Sequence, residues 1–217
     1  MDIGDIVFDI ETQKSFDEVG GRTFFDKLGI SVVGTYVYGP DQYLTFEEHE
    51  IPEFEKLLQK AVRVVGFNIH HFDLEVLRPY ISWDLKKLST LDLMDDVKKS
   101  LGHRLYLDSL ADATLGVRKS GDGMQALRWY KEGKIDEIKK YCLKDVEITK
   151  NLYDFGRKNG HVLFYSRDAG GKVAVPVNWN LEVRSKNLEV SSSRGVLHTP
   201  NKIRFKNKIS PTGEILL

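Results

Sequence analysis

The chain has 217 residues, of which 41% are hydrophobic and 29% charged, and its 32 basic and 32 acidic side chains balance to a formal charge of zero. This is the composition of a globular protein with a sizeable core; no run approaches eighteen apolar residues and no basic stretch precedes an apolar one at the N-terminus, so neither a membrane span nor a secretory leader is expected, and the protein is read as cytoplasmic. Cys142 is the only cysteine, which excludes an intrachain disulfide and a cysteine-based zinc site.

The first element is the apolar run "DIVFDI", a buried strand that continues into "ET". Strand side chains alternate, so Asp9 and Glu11 leave one face about 6.6 Å apart along the chain while Phe8 and Ile10 pack on the other. Two unpaired acids on one face would repel each other and carry a desolvation penalty, so a positive partner is expected. After a polar, glycine-containing stretch come "ISVVGTYVYG" and "QYLTF", separated by Gly39-Pro40-Asp41, which completes a meander of three antiparallel strands. "IPEFEKLLQKA" has helical apolar spacing with proline near its start, and "VRVVGF" is a short buried strand, so a crossover follows the meander. Next come a helix over about 72–80, a strand-like "LSTLDLM", a helix opening at Asp108-Ser109 and stopping at Gly116, one over about 124–131 and a long one over about 135–157. "VLFYSRDAGGKVAVPV" and "KIRFKNKISPTGEILL" both read as hairpins.

Three further acidic features fall on these elements. "GFNIHHFD" places Asp73 in the first turns of a helix, where an acid also favours the helix dipole. "YCLKDVEIT" lies inside the long helix, so Tyr141 and Asp145 share a face about 6 Å apart along its axis. Asp92 and Asp108 compete for a place among these acids but lack the surrounding asparagine and phenylalanine, and are read as structural.

Taken in order, D-x-E on the first strand, N-x-x-x-F-D at a strand-to-helix junction and Y-x-x-x-D on a late helix resemble the three motifs of the DEDD superfamily of 3′-to-5′ exonucleases, in its tyrosine-bearing branch. The resemblance covers residues 4 to about 157, and "LDSLADATLG" is similar to stand-alone polymerase-B-like and helicase-associated members. It implies an α/β ribonuclease H-like fold, a mixed five-stranded sheet flanked by helices, as a domain over residues 1–180 with a basic C-terminal extension over 181–217. It also implies two divalent ions, Mg2+ or Mn2+, that clamp the attacking and leaving oxygens during phosphodiester hydrolysis. Asp9 would bridge the ions, Glu11 and Asp145 would complete the water-activating site, and Asp73 would support the second ion directly or through water. Tyr141 would orient the attacking water; a tyrosine with its ordinary pKa of about 10 is not a strong base at neutral pH.

The same resemblance marks nucleic-acid contacts. Thr12, Phe16 and Arg22 follow the first motif, where relatives grip the 3′ end, and core packing is the competing reading for Phe16. Asn68 either caps the helix or positions the terminal nucleotide; His71, beside His70, either touches a phosphate or lies in solvent. Cys142 is expected to face the core, and Trp83, Trp129 and Trp179 to pack. Residues 1–155 hold 21 basic against 28 acidic side chains, and residues 156–217 hold 11 against 4, so the C-terminal end is a candidate polyanion surface, with Lys202, Arg204 and Lys206 on one face of a strand. The expected substrate is a single-stranded DNA or RNA 3′ end, DNA favoured, although nothing identifies a contact to the 2′-hydroxyl. A helicase or polymerase is the expected partner. A nucleic-acid-binding adaptor with weak catalysis is the alternative, and an RNase H or resolvase-type endonuclease a lesser one.

Overall fold

Strand β1 (Ile6–Thr12) lies at the centre of the main sheet because side chains on both of its faces find cover. Ile6, Phe8 and Ile10 enter one apolar cluster, with Phe54 and Leu58, while Val7 enters a second, with Val146 and Leu152. The computed structural model describes residues 3–117 and 124–180, and these described residues form one unit around that sheet. The expected hairpin at 202–217, with Lys202, Arg204 and Lys206, and the extension from residue 181 lie outside the described residues.

Helix α1 (Phe16–Val19) follows β1 at once, opened by a reciprocal capping box between Ser15 and Glu18. Strands β2 (Ile30–Val37) and β3 (Gln42–Glu47) complete an antiparallel meander with β1. Helix α2 (Ile51–Leu58) buries Ile51, Phe54 and Leu58 against it and returns the chain to β4 (Val64–Gly66), which pairs parallel to β1. Helix α3 (Asp73–Leu77) gives way to a 3₁₀ turn over Arg78–Tyr80, where Pro79 lacks the N–H that would continue an α-helix. Strand β5 (Thr90–Asp92) then adds parallel to β4, giving the order β3-β2-β1-β4-β5.

The strand expected over "LSTLDLM" is only three residues long, because Asp92 caps a helix, α4 (Leu93–Leu101), absent from the sequence reading. The Asp92 carboxylate accepts from Met94 N and Asp95 N, and Leu93, Met94 and Val97 turn inward. Helices α5 (Leu107–Leu115), α6 (Gln125–Lys131) and α7 (Ile135–Asn159) fall where expected, α7 running two residues further until Gly160 takes the left-handed conformation at its end. Strands β6 (His161–Ser166) and β7 (Gly171–Pro176) form a separate hairpin, tied to α5 by Thr114, whose hydroxyl donates to Leu163 O and accepts from Leu163 N. The result is the α/β fold expected, a mixed five-stranded sheet flanked by helices with a hairpin after it. Among the described residues no helix is long and apolar enough to cross a membrane.

The seat of α7 is set by the absence of a side chain. Gly34 of β2 stands opposite Asp9 in the register, and a Cβ there would fall 2.8 Å from Cys142 Sγ and 3.3 Å from the Cys142 carbonyl carbon. Glycine thus lets the helix lie close over the strand beside Asp9. Gly34→Ala is expected to cost about 1–3 kcal/mol through overpacking, with Cys142→Ala recovering part of the loss in the double variant. Urea midpoints of the four proteins measure this; a neutral Gly34→Ala would show that the helix has room to spare.

Candidate active site

Asp9 and Glu11 leave the face of β1 that α7 covers, as strand alternation requires, and the ladder to β2 shifts register between Glu11 and Thr12. Asp145 reaches the same place from α7. One carboxylate oxygen each from Asp9, Glu11 and Asp145 lie within 4.8 Å of one another, with Asp145 buried and the other two half-buried. Tyr141 precedes Asp145 by one helical turn, is nearly buried, and packs edge-on against Trp129 with ring centres 5.9 Å apart. Cys142 faces the core, and its Sγ donates to Asp9 O at 3.3 Å. Burial first, then the charges of Asp9, Glu11 and Asp145, push the thiol well above its ordinary pKa, so it stays a neutral donor.

Asp73 stands apart from this trio. It is the first residue of α3, 3% exposed, and its Oδ1 accepts from Ile10 N at 2.9 Å. The reason is local. The β1–β4 ladder ends at Val7 and Val65, so the N–H of Ile10 needs another acceptor, and the Asp73 carboxylate takes that role. Burial raises its pKa to about 7, two backbone hydrogen bonds oppose the rise, and the charge of Asp92 adds to it.

The sign of that shift predicts a pH dependence. A folded pKa above the unfolded one favours the protonated carboxyl in the fold, so the contribution to stability is full below about pH 4 and declines as pH rises through about 7. In chelator the slope is expected to reach about 1.4 kcal/mol per pH unit, and Asp73→Asn, which keeps an acceptor for Ile10 N but never ionises, should flatten it. Denaturant midpoints between pH 4 and 8 test this; equal slopes in both proteins would contradict it.

At the end of β1 a pocket of about 280 Å3 is lined by Thr12, Lys14, Ser15, Phe16, Asp17, Arg22, Leu28, Phe72, Met124 and Leu127. It gathers the three residues that follow the first motif, Thr12, Phe16 and Arg22. The Phe16 ring packs edge-on against Phe25 and Phe72 at 5.2 and 6.0 Å, so packing and pocket lining are two sides of one ring. Met124 and Leu127 were missed from sequence; only the fold brings α6 against α1 and β1.

Asn68 does not cap α3 with its side chain, since Phe72 holds the cap position without a side-chain hydrogen bond. Asn68 instead takes a left-handed φ of 68°, and its carbonyl accepts from His71 N and Phe72 N. His71 is turned to a carboxylate, its Nε2 3.0 Å from Asp95 Oδ1. Asp92, read from sequence as structural, anchors the turn after β4 by accepting from Asn68 N and His70 N. Trp179 is fully buried, Trp129 lies partly buried against Tyr141's cluster, and Trp83 packs on the edge of the first cluster.

Three carboxylates converging within 4.8 Å repel one another unless a cation lies among them, and an all-oxygen donor set suits a hard divalent ion such as Mg2+ or Mn2+. The chain fits such an ion by the chemistry of its donors. The family model RNase_H_2, of the RNase_H superfamily, matches residues 6–155, from the start of β1 to the last turns of α7. A search of the curated proteins found no match.

Proposed function

The chain belongs to the RNase H superfamily, and from that premise we propose that it is a metal-dependent 3′-to-5′ exonuclease of the tyrosine-bearing DEDD branch, acting on single-stranded nucleic acid ends. The observation that carries this reading is the meeting of Asp9, Glu11 and Asp145, with Tyr141 one turn away on the same helix. Asp9, Glu11 and Asp145 would hold the divalent ions, with Asp73 supporting them from the start of α3. Ions bound there supply Lewis acidity, neutralising charge at the scissile phosphate and making water a better nucleophile.

The chain's own groups do the rest. Tyr141, held by Trp129, presents its hydroxyl to hydrogen-bond the attacking water and set its direction. The pocket offers apolar faces on Phe16, Phe72, Met124 and Leu127 to the terminal base, while Lys14 and Arg22 offer charge to its phosphate. Base stacking on an aromatic face accepts every base, which suits an enzyme that must work along a strand of any sequence.

If Tyr141 only positions water, Tyr141→Phe should lower kcat by roughly 10–1000-fold and leave metal affinity unchanged. Lost metal binding in that variant would assign the tyrosine a different role. The reading as a whole is tested with 5′-labelled and 3′-labelled DNA and RNA oligonucleotides in magnesium, manganese or excess chelator. A ladder shortening from the 3′ end, absent in chelator, is expected. Internal cleavage, or activity that survives chelation, would overturn it.

A further inference from the structure

Where β4 and β5 end side by side, the turns leading to α3 and α4 bring together four side chains the nuclease chemistry does not use. His70 Nδ1 lies 3.0 Å from Asp95 Oδ2 and 3.9 Å from Asp92 Oδ2. His71 Nε2 lies 3.0 Å from the other oxygen of Asp95. One ligand atom each from His70, Asp92 and Asp95 lie within 4.8 Å of one another.

We propose that His70, Asp92 and Asp95, with solvent completing the coordination, form a binding site for a divalent transition ion of the zinc type, separate from the carboxylates of β1 and α7. Spacing supports it first. A tetrahedral ion with bonds of about 2.0–2.1 Å holds its ligand atoms about 3.4 Å apart, between the two imidazole-to-carboxylate separations at His70. Orientation supports it independently. The far nitrogen of His70, Nε2, is 2.9 Å from Thr90 Oγ1, and a hydroxyl can donate to that nitrogen or accept from it. Such an outer partner keeps Nδ1 turned toward the two aspartates, as ligating imidazoles require.

The aspartates are prepared in different ways. Asp92 Oδ1 accepts from Asn68 N, Met94 N and Asp95 N, whereas its Oδ2 accepts from His70 N and keeps a lone pair toward the imidazole. The fold therefore anchors this ligand without exhausting it. For Asp95, burial would raise the pKa, but hydrogen bonds from His70 and His71 outweigh it and hold the carboxyl below its ordinary range. Asp92 is fully buried while Asp95 is 20% and His70 37% exposed, so an ion can enter from solvent on one side only.

Imidazole ligation separates this site chemically from the first. An imidazole nitrogen with two carboxylates suits zinc-type ions, whereas the all-oxygen trio suits magnesium or manganese. An ion at His70 would staple the turn that carries Asp73 to the start of α4, and the site stands whether or not the trio hydrolyses nucleic acid.

The test uses the full chain, stripped with chelator and desalted, with the trio disabled by Asp9→Asn and Asp145→Asn together. One equivalent of Co2+ should still bind with the visible absorption of a four-coordinate ion, and Zn2+ should displace it. His70→Gln and Asp95→Asn, each added to that background, should weaken Zn2+ binding at least about 100-fold, beyond the effect of losing an outer partner alone. Both positions are partly exposed, and thermal melts in chelator verify that each variant folds; either folded variant suffices. Absence of stoichiometric Zn2+ binding in the disabled background, or affinity unchanged by these substitutions, would overturn the proposal.

Discussion

Asp145→Asn and Asp9→Asn are each expected to lower hydrolysis by about 1000-fold or more while leaving the protein folded. Both carboxylates belong to the trio within 4.8 Å, and asparagine keeps the shape but removes the charge that holds a divalent ion. Metal Lewis acidity is worth several kcal/mol at the transition state, and about 1.4 kcal/mol is a factor of ten in rate. The same substitutions should leave the chelated protein's melting temperature unchanged or raise it. Relieving about 1 kcal/mol of like-charge repulsion would add roughly 2–4 °C in a domain of this size. Single-turnover hydrolysis of an end-labelled strand and calorimetry in chelator read the two effects separately. Turnover within tenfold of the unsubstituted protein would remove these residues from the chemistry; a lower melting temperature would assign them a structural role instead.

Trp179→Ala is expected to cost about 3–5 kcal/mol, the range for deleting a buried aromatic side chain, and so to lower the melting temperature by roughly 10 °C. Trp179 is fully buried although it lies beyond β7. Its ring occupies the space over Gly156 of α7, where even a Cβ would come within 2.2 Å of it. Its Nε1 donates to Asp96 Oδ2 at 2.8 Å, and its carbonyl accepts from Arg63 Nη2 at 2.8 Å. Arg63 in turn pairs with Asp5 at 3.2 Å and donates to the Tyr153 hydroxyl, so one residue near the end of the described chain touches α4, α7 and the residue before β4, and reaches the start of β1 through Arg63. Trp179→Phe, which keeps a ring but drops the bond to Asp96, should lose only about 1 kcal/mol. Urea unfolding of the two variants tests this; a loss below about 1 kcal/mol for alanine would mean that the segment after β7 detaches freely.

Local chemistry accounts for what could be read without the fold. Alternation along "VFDIET" put Asp9 and Glu11 on one face, and the i, i+4 spacing of Tyr141 and Asp145 put that pair on one side of a helix; both relations depend only on backbone geometry. The meander, the crossover helix and the Asp-Ala-Gly-Gly hairpin were legible for the same reason, each being a local hydrophobic period with its own turn residues. Helix α4 was also written locally, as an aspartate cap followed by Leu93, Met94 and Val97, but the β-like residues before it masked the signal. What no local rule contains is distance between elements. That Gly34 lets α7 close over Asp9, that Asp73 takes the N–H of Ile10 and so stands beside the trio rather than within it, and that Met124 reaches the pocket of Phe16 depend on how helices pack on the sheet. The pairing of His70 and His71 with Asp95 belongs to the same class. Histidines in the turn before α3 and an aspartate in α4 have no fixed separation until parallel β4 and β5 bring their ends together, and there the tertiary structure alone decided which side chains meet.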